Sequence, residues 1–184
     1  MHPVSSQPWL ANEFSGDFSL ASNAAGSFAE STYSNVVIMP DAMSGLDAIS
    51  APGYAESCTK PADDAEVPSS YTGSKACGSL TLLNSTISPL PAPNLGFPAM
   101  ASRYTATMRC SLSGAEFPIY DDDVNVVVGA AFIYGDFSET NTPPTPAQEQ
   151  HYMSAITSRA PTDLANGNSG ALALRRGNTG LRRA

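Results

Sequence analysis

The densest acidic run in the chain is Asp121, Asp122 and Asp123, set just before its most apolar stretch. Carboxylate oxygens are preferred ligands of hard cations such as Ca²⁺, so three in a row can contribute to a cation site. The spaced ligands and the glycine of an EF-hand loop are missing, and the expected state of the three is solvated loop charge. Asp63, Asp64 and Glu66 form a second acidic group in a stretch of turn residues, where the same expectation holds. Positive charge is grouped as well: Arg175, Arg176, Arg182 and Arg183 all fall in the last ten positions. Arginine's planar fork grips two carboxylate oxygens at once, which suits it to interfaces.

Gly167, Asn168, Ser169 and Gly170 resemble the loop around the nucleophilic serine of chymotrypsin-like proteases. That reaction needs a histidine base touching the serine and an acid behind the histidine. The family places both upstream, with the histidine near the start of the domain. Here the histidines are His2, at the terminus, and His151, only 18 residues before Ser169. Ala171 also stands where the family has glycine. The expectation is a glycine turn, with no catalytic residue, no cofactor-binding residue and no metal ligand assigned. Asn84, Ser85 and Thr86 have the form of a glycosylation acceptor, a triplet that chance supplies about once in a chain of this size.

Bulk composition limits the function classes. Ala, Ser, Thr, Gly and Pro make up half of the 184 residues, and Leu, Ile, Val and Phe together fewer than a fifth. Such a chain is near the limit of burying enough apolar surface to fold. The net charge is −8, and setting the four terminal arginines aside leaves −12 on residues 1–174. Phosphate binding needs a basic face, so the composition argues against nucleic acid as a partner. No apolar run reaches the length of a membrane helix; the longest, 126–134, has nine residues. Neither a basic nor an apolar leader region follows Met1, so no export signal is expected. Three cysteines leave at least one unpaired. Cys58 and Cys77 bracket a polar loop that a disulfide between them can close, but without an export signal three free thiols are expected.

The elements that must position these groups read mostly as strands. Residues 103–113 alternate strictly, with Tyr104, Ala106, Met108, Cys110 and Leu112 on one side and polar residues on the other. This is a strand with one face on a core. Residues 124–134 are apolar on both sides apart from Asn125, as in the most buried strand of a sheet. Residues 114–123 are too many for a tight hairpin and are expected to cross over. A short strand is expected at 35–39 and another at 79–87. A helical turn is expected over 41–49, with Met43, Leu46 and Ile49 on its apolar side, and loop over 51–78. The prolines of 88–98 predict an extended connector. Thr145, Pro146 and Gln148 form a capping-box start for a helix over about 145–159, with Tyr152, Met153 and Ile156 on its apolar side.

The expected architecture is mainly β: a single β-sandwich or β-barrel with one short helix and extended terminal arms. The arms are 1–34 and 161–184, and the β-domain is 35–160. Trp9, Phe14, Phe18 and Phe28 in the first arm, and Arg175, Arg176, Arg182 and Arg183 in the second, are the candidate interface residues. Aromatics in an irregular segment need a surface to cover, either on their own core or on a neighbour. The functional expectation is a non-enzymatic structural protein of a large assembly, most plausibly a virus or bacteriophage virion component such as a capsid decoration protein. Its partners would be copies of itself and a neighbouring capsid protein, with no membrane, and its location the capsid surface. The alternatives are a tail, baseplate or minor capsid protein, and a secreted β-sandwich binding module with an extracellular location. Deleting 175–184 is expected to leave the melting temperature of the isolated protein almost unchanged. It should weaken attachment to the neighbouring copy or shell as added salt does, because rim charges are screened within about 8–10 Å. Melting curves and binding at two salt concentrations check this; early unfolding with unchanged binding would place the tail in the core.

Overall fold

A computed structural model describes residues 11–14, 18–20, 30–39, 42–51, 53–70 and 77–161. The protein is mainly β. Strands β1 (Ala11–Phe14), β2 (Phe18–Leu20) and β3 (Glu30–Ile38) are followed by helix α1 (Ala42–Ser50). A π-helical turn, Ala55–Thr59, runs straight into α2 (Lys60–Ser70). Then come β4 (Leu80–Leu90), β5 (Ala99–Cys110), β6 (Glu116–Val128), β7 (Ala131–Thr140) and α3 (Pro146–Thr157).

The strands form one antiparallel sheet in the order β1-β3-β7-β6-β5-β4, with β2 also pairing β3. The two ends of this order do not pair, so the sheet is open and not a barrel. A second sheet, as a sandwich requires, is not seen among the described residues. Both long hairpins place chemistry by register: Arg103 lies opposite Asp122 and Ser102 opposite Asp123 across β5–β6. Asp123 in turn lies opposite Asp136, and Asp121 opposite Ser138, across β6–β7.

The period-2 reading of 103–113 describes β5 through Cys110, with Tyr104, Ala106 and Met108 fully buried. Leu112 falls beyond the strand end and is 70 % exposed. Three other expectations are corrected. Residues 124–134 are not one strand: Val128 and Ala131 pair across a two-residue turn in which Gly129 takes a positive φ of 57°. The segment 114–123 is not a crossover, because β6 begins at Glu116 and pairs directly back onto β5. The stretch 51–78 is not all loop, since α2 lies within it. The expected strand at 35–39 starts earlier, at Glu30. β4 runs through Pro89, which the sheet tolerates because β4 is an edge strand, its outer side making no ladder among the described residues. Met43 of α1 is 61 % exposed, whereas Gly45 is buried against Val127.

Each face of the sheet has its own cover. On one face Val124, Val126, Val128, Ala131 and Ile133 pack under Met153 and Ile156 of α3. The helix begins as its capping box requires: Gln148 N donates to Thr145 Oγ1, and Thr145 N donates to Gln148 Oε1 at 2.9 Å. Gly135 lets α3 approach, since a Cβ there would sit 2.4 Å from Met153 Sδ. The opposite face carries a smaller core of Tyr104, Ala106, Met108 and Ile119. A Cys77–Cys110 disulfide ties the segment before β4 to the end of β5. The Cys58–Cys77 pairing and the three free thiols are therefore both set aside. On the chain-entropy account a loop with a 33-residue separation gains about 4 kcal/mol from such a bond.

Val126 is fully buried and Val128 is 2 % exposed, both under α3. Val126→Asp or Val128→Asp is expected to cost about 3 kcal/mol or more, by burying an unpaired charge. Urea unfolding measures it; fully stable soluble protein would contradict the placement of β6.

Candidate functional site

Three consecutive aspartates of β6 are all buried: Asp121 is 7 % exposed, Asp122 0 % and Asp123 2 %. The expectation of solvated loop charge is therefore wrong. Because successive strand residues point to opposite faces, Asp122 turns toward α3 while Asp121 and Asp123 turn toward the α1 and α2 side. One strand thus buries negative charge on both faces.

The two faces meet this in different ways. Asp122 takes a bidentate guanidinium: Arg103 Nε donates to Oδ1 at 2.6 Å and Nη2 to Oδ2 at 2.5 Å. Arg103 Nη2 also donates to the Pro144 carbonyl at 3.1 Å, tying the pair to the start of α3. Forked charge-assisted bonds of this kind are the strongest ordinary hydrogen bonds in proteins. The Asp122 contact holds the Arg103 guanidinium above its ordinary pKa, against the opposing pull of burial. Glu149 of α3, 2 % exposed, comes against the same pair. Burial, then the hydrogen bond and charge of Asp122, push its carboxyl up to about 7.

On the other face Asp121, Asp123 and Asp136 each bring a carboxylate oxygen within 4.8 Å of the other two. Hydroxyls of β7 lie against them. The Tyr134 hydroxyl donates to Asp123 Oδ1 and lies 3.3 Å from Asp136 Oδ2. Ser138 Oγ is 3.0 Å from both Asp121 Oδ1 and Asp136 Oδ1. A single hydroxyl proton cannot satisfy two ionised carboxylates equally. Burial, then Asp136 and the neighbouring acids, raise the carboxyl of Asp121 well above its usual range. Burial and Asp136 likewise raise that of Asp123, against the Tyr134 hydrogen bond. Tyr134 is pushed up by burial and by the same acids.

Helix α2 closes over the neighbouring part of this face through Asp64, which accepts from Lys60 Nζ at 2.7 Å, Ser85 Oγ at 2.5 Å and Tyr104 Oη at 2.8 Å. Burial would raise the Asp64 carboxyl, but these three donors outweigh it and hold it below its ordinary value. Asp63, the next residue of α2, adds its negative field to Asp121 and Asp123. Asp63 and Asp64 are thus helical and half-buried, not in a solvated loop.

The cluster combines residues that the sequence set apart. Asp136, Tyr134 and Ser138 join Asp121 and Asp123 only through the β6–β7 register. Trp9, Phe28, Ser169, Arg175, Arg176, Arg182 and Arg183 lie outside the described residues, as does His2. Phe14 and Phe18 lie in β1 and β2, where only the backbone is described. His151 is exposed on α3, across the sheet from the carboxylate cluster. No family model, no curated protein and no solved structure matches this chain. Its class therefore rests on its own architecture: a mainly β protein with an open antiparallel sheet and a buried carboxylate cluster.

The raised Glu149 carboxyl has a signed consequence. The unfolded chain titrates this group near 4.5 and the folded protein near 7. Its contribution to stability is complete below about pH 4.5 and is lost as pH rises through about 7. Glu149→Gln keeps the shape and removes the titration. Relative to the parent, the variant is expected to gain stability from pH 5 to pH 8, as read by urea unfolding across that range. A constant difference between the two proteins over the range would contradict the shift.

Proposed function

We propose that the chain is a non-enzymatic structural protein of a large assembly, most concretely a virion component of the capsid-decoration kind. The observation that carries this reading is the burial of its densest chemical group. A carboxylate cluster only 2–7 % exposed at Asp121 and Asp123, inside a sheet, holds a fold or an ion and does not receive a substrate. His151, the one described histidine, is on the other side of the sheet. The acidic balance of residues 1–174 beside four terminal arginines gives each copy charge complementary to another's. Partners of this kind are further copies of the chain and a neighbouring shell protein; a tail or baseplate position uses the same features. Among the described residues no helix is long and apolar enough to cross a membrane.

Two observations together favour a second reading, a secreted binding module. The Cys77–Cys110 disulfide belongs to an oxidising setting, which includes both virion surfaces and the extracellular space. Asn84 of the glycosylation triplet is exposed on the edge strand β4. The fuller sandwich expected from the sequence would need a second sheet contributed from beyond the described residues or by a neighbour.

Native mass spectrometry of the purified chain tests the first reading. A discrete oligomer, weakened by salt, is the expected result. A monomer at every concentration that carries sugar at Asn84 would favour the secreted module. A hydrolase activity abolished by Ser169→Ala would overturn both.

A further inference from the structure

We propose that Asp121, Asp123 and Asp136 bind one hard divalent cation between β6 and β7, with Ca²⁺ the best fit, and that the Ser102 hydroxyl faces the same ion. The first support is spacing. Oxygens within 4.8 Å of one another fit around a single ion, because ligands on opposite sides of Ca²⁺ stand about 4.6–5.2 Å apart.

The second support is independent of the acids. Ser102 is 2 % exposed, and its Oγ is buried with no hydrogen-bond partner. It stands directly opposite Asp123 across β5–β6, so both side chains lie on the same face as neighbours. A buried hydroxyl without a partner is costly, and such groups are rare unless something fills the site. Asp123 Oδ2 is unpartnered too, although its Oδ1 takes the Tyr134 proton. Two buried acceptor atoms on adjacent strands therefore face a region of strong negative potential. A cation satisfies both at once.

The donor chemistry selects the ion class. Every ligand is a hard oxygen, with no imidazole or thiolate in the set, which suits Ca²⁺ or Mg²⁺ over Zn²⁺. Mg²⁺ demands octahedral geometry and keeps several waters, which a group 2 % exposed does not readily accommodate; Ca²⁺ accepts irregular oxygen sets. Occupancy would also act on α2. The field of Asp63 reaches Asp121 and Asp123, so positive charge between them would relieve repulsion between that helix and the sheet.

The experiment uses the full chain, stripped with a chelator and dialysed at pH 7. Ca²⁺ is titrated by calorimetry, with thermal melts beside it and arms in Mg²⁺ and in NaCl at matched ionic strength. The expected result is saturable 1:1 binding, with the melting temperature rising by about 3 °C or more at roughly 5 mM Ca²⁺. Mg²⁺ should do less and NaCl almost nothing. Asp123→Asn and Asp136→Asn should each lower the affinity at least tenfold. In metal-free buffer they should melt no lower than the parent, because each removes a repelling charge. Ser102→Ala should weaken Ca²⁺ binding several-fold; should it also disturb folding, the two Asn variants carry the test. A melting temperature that responds to Ca²⁺ only as it does to NaCl, with no saturable heat, would overturn the proposal and leave shared protons or a buried water holding the cluster. So would Ca²⁺ binding that neither Asn variant weakens, because the ion would then sit elsewhere. Neither result bears on the oligomeric state, so the assembly reading stands or falls separately.

Discussion

The constraint on which this structure turns is the burial of three successive carboxylates in a central strand. β6 lies between β5 and β7, and Asp121, Asp122 and Asp123 are all but removed from water. An isolated buried carboxylate is too costly to remain charged and alone. The surrounding elements must therefore bring donors, positive charge or protons. Arg103 comes from β5, Tyr134 and Ser138 from β7, and Glu149 from α3. The flanking secondary structure is as much a set of counter-groups for β6 as a hydrophobic wrapping.

The two solutions have different consequences. On the α3 face one guanidinium neutralises Asp122, and its further bond to the Pro144 carbonyl carries that neutralisation into the segment from which α3 starts. The capping box at Thr145 then fixes the helix one residue later. Apolar packing of Met153 and Ile156 completes the contact. The capping box sets where the helix begins, the Arg103 bond to Pro144 anchors that start, and burial holds the helix down. On the other face the carboxylates meet the hydroxyls of Tyr134 and Ser138. Hydroxyls share protons but add no positive charge, so burial and then the neighbouring acids raise the carboxyls there.

Much of the skeleton was legible in the sequence, for identifiable reasons. The alternation of Tyr104, Ala106 and Met108 is a backbone-period signal that needs no tertiary information. The same is true of Thr145, Pro146 and Gln148, whose capping chemistry is local. The site was not legible. Aspartate is depleted in strands and seldom fully buried, so an acidic triplet reads as a loop unless its partners are known. Those partners are set by register: Arg103 meets Asp122, and Asp136 meets Asp123, only once two hairpins have closed. Gly129 was the available clue. A glycine dividing Val124, Val126 and Val128 from Ala131 and Ile133 marks a two-residue turn. Placing that turn puts Asp136 opposite Asp123.

Asp64 bears on the same problem from outside the sheet. It takes donors from its own helix, from β4 and from β5, so α2 is latched by a carboxylate that is fully supplied. Asp63, one residue earlier, faces the field of the sheet acids. Adjacent residues of one helix thus act on different groups, Asp64 on the donors of β4 and β5 and Asp63 on the sheet acids. Whatever lowers the charge on Asp121 and Asp123, a proton or a cation, lowers their repulsion with Asp63. The cover of this face is therefore partly electrostatic, as it is on the α3 face, where Arg103, Asp122 and the raised Glu149 carboxyl meet.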